Sequence, residues 1–149
     1  MPIQFEHTIE VPQSPEQVFP VLADVSQTPK WLARCTGIEV LTPGPLARGA
    51  KLRYSYRDGR RAGQMNGEVA ERIDNQKLSF RYSDKMMKVG VHFSMQPQGN
   101  GTRLTHSIDI TPQTFFAKLL SPLIRRQLPK QTITAMEALR TLLAQTQKP

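Results

Sequence analysis

The chain has 149 residues, a formal net charge of +8 and 38% hydrophobic residues. Its length fits a single domain over 1–149, and its hydrophobic residues fall in periodic runs, which excludes a disordered chain. Cys35 is the one cysteine, which excludes an internal disulfide and a thiolate metal cage. Neither a signal peptide nor a run of roughly 18 apolar residues is present, so we expect a cytoplasmic protein.

The N-terminal part of the chain predicts a strand followed by two short helices. Residues alternate between apolar and polar from Ile3 to Ile9, which is typical of a strand with one buried face and points His7 inward. Ser14-Pro15-Glu16-Gln17 predicts a helix start with a capping box. A second short helix should begin at Thr28-Pro29 and carry Trp31.

Six further segments predict strands joined largely by hairpins: Ile38–Leu41, Lys51–Arg57, Arg61–Arg72, Leu78–Tyr82, Val89–Met95 and Leu104–Ile110. Asp58-Gly59 is the strongest turn signal, because both central residues of a type I′ turn need positive φ. Asp74-Asn75 and Gln98-Gly99-Asn100-Gly101 predict two more turns. Consecutive hairpins build an antiparallel sheet, and a strongly twisted sheet curls into a concave surface.

The C-terminal stretch predicts a long amphipathic helix from Thr111 to Thr146, with Thr111 as N-cap and Pro112 at its first position. Its apolar residues recur at helical spacing and predict one long stripe: Phe116, Leu119, Leu120, Leu123, Ile124, Leu128, Ala135, Met136, Leu139, Leu142 and Leu143. Pro122 and Pro129 predict a kink, or a separate short helix that ends before Ser121. The concave sheet is the natural seat for this helix, which makes the fold class α+β.

Three stretches of the chain carry a resemblance to a known superfamily: IEVPQSPEQVFPVLADVSQTPKWL, the glycine-containing strand after the Asp58-Gly59 turn, and GNGTRLTHSIDITP before the long helix. In this order the elements resemble the helix-grip fold of the START/Bet v 1-like (SRPBCC) superfamily, and more closely the bacterial polyketide cyclase/dehydrase and lipid-transport-like proteins. The resemblance covers nearly the whole chain. It implies a seven-stranded curved antiparallel sheet wrapped around a long C-terminal helix, with two short helices after the first strand. Members carry lipids, bind hormones or quinones, chaperone partners or cyclise polyketides, so the resemblance leaves the function open.

A gap between a curled sheet and a helix is the default binding site in such an architecture. By strand phase and helix face, its walls are predicted to be Phe5, His7, Trp31, Leu52, Tyr54, Tyr56, Met65, Val69, Phe80, Tyr82, Val91, Phe93, His106, Ile108, Phe116, Leu120 and Ile124. The alternative is that these side chains simply fill the core. Gly63 and Gly67 also face inward, where they either leave room for a ligand or mark a bulge.

Two histidines are the polar residues of greatest interest. In the resembling fold the first and last strands are neighbours, so His7 and His106 should lie close together on the concave face, whereas His92 should be exposed. If the two histidines only form structural hydrogen bonds, they need no further role. As catalytic groups, His7, His106 and Tyr54 are the candidates for a cyclase or dehydratase.

The catalytic interpretation lacks an inward carboxylate to support these groups, because Glu6, Glu10, Glu68 and Asp109 fall on the outer phase. We therefore favour binding or transport of a hydrophobic small molecule (a lipid, fatty acid, quinone or polyketide-like compound) over catalysis, and we predict no cofactor and no metal. The proline-containing segment from Pro122 to Pro129 is the predicted gate, because a broken helix lifts with few hydrogen bonds lost.

A basic cluster around the first hairpin offers a third interpretation, an interaction protein: Arg48, Lys51, Arg53, Arg57, Arg60 and Arg61. Such residues ordinarily give solubility and discourage edge pairing of strands. The functional alternative is transient contact with an anionic membrane or ribosomal RNA. Sequence-specific nucleic-acid binding is not expected, because the tyrosines that would stack on bases point inward.

Overall fold

The structure is a computed structural model, and it describes residues 3–146. Its strands are β1 (Ile3–Val11), β2 (Cys35–Val40), β3 (Lys51–Asp58), β4 (Arg61–Ile73), β5 (Lys77–Ser83), β6 (Met87–Gln98) and β7 (Gly101–Pro112). Its helices are α1 (Pro15–Ala23), a 3₁₀ turn (Val25–Gln27), α2 (Thr28–Trp31), α3 (Phe115–Leu119) and α4 (Ser121–Thr146).

Within residues 3–146 the strands form one antiparallel sheet in the order β1-β7-β6-β5-β4-β3-β2. Each strand from β2 onward pairs with the next one along the chain, and β1 returns to pair with β7. The sheet curves around α4, with short helices after the first strand. The predicted α+β helix-grip architecture is therefore confirmed.

The turn between β3 and β4 differs from the prediction. Asp58 pairs with Arg61, so Gly59 and Arg60 are the central residues of the turn. Gly59 has a φ of 65°, whereas Asn75 is the non-glycine residue with positive φ among those described. The type I′ prediction centred on Asp58-Gly59 is wrong, because β3 continues one residue further. Glycine at the first central position is the pattern of a type II′ turn.

The two predicted helices after β1 are present. The backbone amide of Ser14 donates to Oε1 of Gln17 at 2.9 Å, which confirms the reach-back of the capping box. Val18, Phe19 and Leu22 of α1 are buried against the sheet. The short helix α2 places Trp31, which is 5% exposed, over the concave face.

The C-terminal helix begins later than predicted. Thr111 and Pro112 belong to β7, because they find ladder partners in Lys88 and Met87 of β6. The helix start is instead at Thr114, whose Oγ1 accepts a hydrogen bond from the amide of Ala117 at 3.1 Å. The separate short helix before Ser121 is confirmed, and the long helix α4 continues through Pro129.

The apolar stripe is buried only along α4. Leu128, Ala135, Met136, Leu139, Leu142 and Leu143 are buried against the sheet. Phe116, Leu119 and Leu123 are 53%, 61% and 50% exposed, so the prediction of one continuous buried stripe is wrong at its N-terminal end. Phe116 and Leu119 lie on the separate helix α3, and Leu123 lies in the first turn of α4, before the buried residues of that helix begin at Leu128. No helix in the described part of the chain is long and apolar enough to cross a membrane.

Candidate functional site

The two predicted histidines are brought together. His7 of β1 lies directly opposite His106 of β7 in the antiparallel register, and paired residues project from the same face of a sheet. His106 is 2% exposed, whereas His7 is half-buried. The imidazole of His106 stacks on Phe93, with ring centroids 4.4 Å apart, and meets the edge of Trp31 at 6.5 Å.

His106 is buried without a hydrogen-bond partner for Nδ1 or Nε2. Burial lowers the pKa of His106 to about 4, and the nearby His7 and His92 act in the same direction. The ring is therefore neutral at pH 7, with one N–H donor and one acceptor nitrogen. A buried polar group without a partner costs roughly 1–3 kcal/mol, so this position calls for a partner.

Two further buried polar atoms on the elements facing His106 are also unpartnered: Nε1 of Trp31 and Oγ1 of Thr132. Thr132 follows Gln131 on α4, and Oε1 of Gln131 accepts a hydrogen bond from Nη1 of Arg34 at 2.8 Å. Because Arg34 lies three residues after Trp31, this bond holds the middle of α4 against the end of α2. Sequence reasoning missed Thr132, since a threonine in an amphipathic helix carries no distinctive signal.

Aromatic rings extend the interior wall across β3 and β5. The ring centroid of Tyr54 lies 4.8 Å from that of Tyr82 and 6.4 Å from that of Tyr56. Burial raises the pKa of Tyr54, of Tyr82 and of the Cys35 thiol. All three groups are therefore neutral at physiological pH.

The inward glycines neither leave an open space nor mark a bulge. A Cβ added at Gly63 would lie 2.5 Å from the hydroxyl oxygen of Tyr56, and one added at Gly67 would clash with the ring of Tyr82. Both interpretations offered by the sequence are wrong, because each glycine accommodates the tyrosine paired with it on the neighbouring strand. The bulge in β4 lies between Val69 and Glu71.

The predicted wall residues other than His106 divide into three groups according to their burial. Buried in the main core are Trp31, Leu52, Met65, Val69, Phe80, Tyr82 and Phe93. Half-buried are Phe5, His7, Tyr54, Tyr56, Val91, Ile108, Leu120 and Ile124. Phe5, Ile108 and Ile124 surround a second, smaller cluster formed by Ile3, Ile110 and Leu128. Phe116 packs into neither cluster and is 53% exposed, so its placement in the wall is corrected.

The outer face of the sheet carries a hydrogen-bonded chain that sequence reasoning missed. Nδ1 of His92 lies 3.0 Å from Oγ of Ser79, and Nε2 of His92 lies 2.9 Å from Oδ2 of Asp109. The residues come from outer-phase positions of β5, β6 and β7, and only the strand register brings them together. Ser79 is 7% exposed, and these hydrogen bonds tie β5, β6 and β7 together on the outer face.

The outer face also positions the predicted carboxylates and part of the basic hairpin. Glu68 pairs with Lys51 at 3.1 Å, and Glu39 pairs with Arg53 at 3.1 Å. Glu68 and Asp109 lie with Lys51 and His92 along a shallow groove of about 510 Å³. Its mixed charges differ in kind from the apolar interior. Within residues 3–146 no group of three or more His, Cys, Asp or Glu residues is placed to hold a metal ion.

A curved sheet and a long helix that enclose an aromatic interior define a helix-grip protein. Solved structures show the same fold. A START superfamily protein from Mycobacterium smegmatis is 19% identical, with a TM-score of 0.79 and coverage of 96% of this chain and 98% of that one. The Zhui aromatase/cyclase from Streptomyces sp. R1128 is 13% identical, with a TM-score of 0.79 and coverage of 99% and 97%.

The family model described as "Polyketide cyclase / dehydrase and lipid transport" matches residues 2–144. The chain therefore belongs to this family, as the sequence resemblance predicted. A search of curated protein sequences found no match. Family and fold together support a role in binding hydrophobic ligands or one like that of a polyketide cyclase.

Proposed function

We propose that the protein binds a hydrophobic small molecule, such as a lipid, quinone, fatty acid or polyketide-like compound, between the curved sheet and α4. The observation that carries the proposal is His106, which is buried among Phe93 and Trp31 with both ring nitrogens unpartnered. A polar group on a bound ligand supplies the missing hydrogen bond and offsets the cost of burying the imidazole.

The three unpartnered groups indicate the polarity of that ligand. A neutral imidazole offers one donor and one acceptor, the Trp31 indole only a donor, and the Thr132 hydroxyl both. This set suits a carbonyl or hydroxyl group on the ligand, because each of the three groups is uncharged and can donate or accept a hydrogen bond.

The half-buried apolar side chains are where the proposal puts the rest of the ligand. Phe5, Val91 and Ile108 on the sheet and Ile124 on α4 are partly exposed on surfaces that face the interior. Lifting the N-terminal part of α4 gives access to this surface. Pro129 has no backbone N–H. Opening of the segment from Pro122 to Pro129 therefore breaks one helical hydrogen bond fewer than it would with another residue at position 129.

A cyclase or dehydratase on the same fold is the second candidate, with His7, His106 and Tyr54 as acid and base. The pairing of His7 with His106 on one face favours it, whereas Tyr54 lies on β3, which β6, β5 and β4 separate from β7 in the sheet. The protonation states weigh against it: an imidazole with a pKa of about 4 is a weak base, and a phenol whose pKa is raised by burial is a weak acid. Binding is therefore the function we propose first.

Contact of the basic hairpin with an anionic membrane or with RNA is not part of this proposal. Lys51 and Arg53 already form ion pairs with Glu68 and Glu39 on the outer face. The family match gives such contact no support.

Native mass spectrometry of protein purified gently from its own host tests the proposal. We expect a co-purifying hydrophobic mass that is released on denaturation, and weaker retention of it by His106→Gln. His92→Gln is the matched control, because it makes the same change on the outer face of the same sheet. An empty protein that also takes up no quinone or fatty-acid analogue would overturn the proposal.

Turnover separates the two candidates. If the released compound is a polyketide-like substrate, His7→Gln and His106→Gln would abolish its conversion under the catalytic alternative. Under the binding role the same variants change affinity, and no product forms with the unmodified protein either.

A further inference from the structure

An apolar patch at the N-terminal end of the C-terminal helical region is exposed to solvent. Phe115, Phe116, Leu119 and Leu123 are 78%, 53%, 61% and 50% exposed, and we refer to these four residues as the α3 patch. They are the most exposed large hydrophobic side chains in the described residues. Large apolar side chains gathered in this manner on a surface mark an interaction site more often than scattered ones do.

The α3 patch lies within a stretch that carries only positive charge. Between Ile110 and Met136 the sequence contains Lys118, Arg125, Arg126 and Lys130 and no Asp or Glu. All four basic side chains are exposed. This surface combines exposed phenylalanine and leucine with lysine and arginine. It is therefore complementary to a partner surface that has negatively charged groups on the outside and an apolar layer beneath them.

The packing of α3 presents the patch outward. Ala117 is the buried residue of this helix, and the Thr114 cap fixes its start. The side-chain amide of Gln113 donates to the carbonyl of Asp84 at 2.9 Å, so the turn after β5 adjoins the patch. The carboxylate of Asp84 accepts hydrogen bonds from the backbone amides of Met86 and Met87. Its negative charge is therefore engaged within that turn.

We propose that the α3 patch docks the protein on an anionic lipid bilayer. Phe115, Phe116, Leu119 and Leu123 enter the interface between headgroups and acyl chains, while Lys118, Arg125 and Arg126 contact the anionic headgroups. A second copy of the chain fits less well, because a twofold pairing of this surface sets like charges against each other. This docking stands apart from the proposed ligand binding and does not depend on which molecule the interior holds.

Vesicle flotation tests the proposal with the full chain, using phosphatidylcholine alone and phosphatidylcholine mixed with phosphatidylglycerol. We expect the protein to float with the anionic vesicles at low salt and to be released as salt rises. The triple variant Phe115→Ser, Phe116→Ser, Leu119→Ser removes apolar contacts, and Lys118→Glu, Arg125→Glu, Arg126→Glu reverses the charge. The charge-reversal variant should weaken partitioning at least about tenfold, since each lysine or arginine near such a surface contributes about a factor of five. The serine variant should also weaken it at least about tenfold, since it removes three large apolar side chains from the interface.

Matched controls come from elsewhere on the surface. Arg57→Glu, Arg60→Glu, Arg61→Glu makes the same change in net charge on the basic hairpin. Val40→Ser, Leu41→Ser, Ile73→Ser removes exposed apolar side chains away from α3. We expect both controls to float as the unmodified protein does, and circular dichroism to show that every variant is folded.

Three results would overturn the proposal: no flotation of the unmodified protein with anionic vesicles, flotation unchanged in both α3-patch variants, or flotation lost only in the hairpin variant. If no vesicles are bound and light scattering shows a dimer that the serine variant dissociates, the proposal is overturned and the patch is an interface between copies of the chain.

Discussion

The imidazole of His106 lies nearly parallel to the ring of Phe93, with centroids 4.4 Å apart and 17° between the planes. This stacking holds the histidine in place without a hydrogen bond to either ring nitrogen. Packing alone therefore positions a polar group that remains able to donate and accept inside an apolar space. It also means that the proton affinity of the ring is governed by burial.

The pH dependence of stability should report this burial. The pKa of His106 is lowered to about 4 from 6.5, so between these values the unfolded chain binds a proton that the folded protein does not. The free energy of unfolding of the ligand-free protein should therefore fall as pH drops from about 6.5 to about 4, by up to about 3 kcal/mol from this residue. Urea titrations of the unmodified protein and His106→Gln across this range measure the difference.

All other ionisable groups are common to both proteins, so the quantity to compare is the difference between the two curves. Identical curves would show that His106 is hydrated and protonates in the folded state. A loss of stability that corresponds to the binding of one proton on unfolding, and that occurs only in the unmodified protein, would agree with a dry interior in the absence of ligand.

A second prediction concerns the glycines beneath the tyrosine rings. Gly67→Ala places a methyl group against the ring of Tyr82 and about 3.2 Å from the carbonyl oxygen of Arg81, so we expect a loss of about 1–3 kcal/mol in stability. Gly37→Ala is the matched control, because a Cβ at Gly37 in β2 meets nothing within 4 Å. Thermal unfolding and near-ultraviolet circular dichroism measure the effect. Equal stability of the two variants would mean that Tyr82 moves aside freely.

These glycines also show why the sequence could predict the fold better than the site. Alternation, turn residues and helical spacing are local, so they predicted the strands, the consecutive hairpins and the short helices. Whether Gly67 leaves a gap depends on which residue of β5 is paired with it, and that is set by the register. Tyr82 fills the space that the sequence alone had left open.

The C-terminal helices and the site illustrate two other limits of sequence reasoning. Thr111-Pro112 has the chemistry of a helix start, but Met87 and Lys88 extend β6 and retain both residues in the sheet. Local capping preference therefore yields to strand pairing. The pairing of His7 with His106 followed from the resembling fold. Thr132 and the Ser79–His92–Asp109 chain needed contacts across distant segments, which no local pattern encodes.

The long helix offers a pair of leucines that differ mainly in burial. Leu139 is fully buried, whereas Leu123 is 50% exposed. Leu139→Ala should cost about 2–5 kcal/mol through lost burial and a cavity under α4, and Leu123→Ala about 0.5 kcal/mol or less. Chemical denaturation of both variants tests whether α4 is held by its C-terminal half. Similar losses would contradict the burial of the stripe described here.

The last prediction addresses the opening of the interior. The buried residues of α4 lie from Leu128 onward, whereas α3 and the first turns of α4 bury little apolar surface. Local opening costs least where few buried contacts are lost, so amides from Phe116 to Gln127 should exchange faster than those from Met136 to Leu143. Hydrogen exchange followed by mass spectrometry resolves the two segments. Exchange in the first segment that is as slow as in the central strands would rule out a gate there, whereas slowing of that segment alone by a bound hydrophobic ligand would support one.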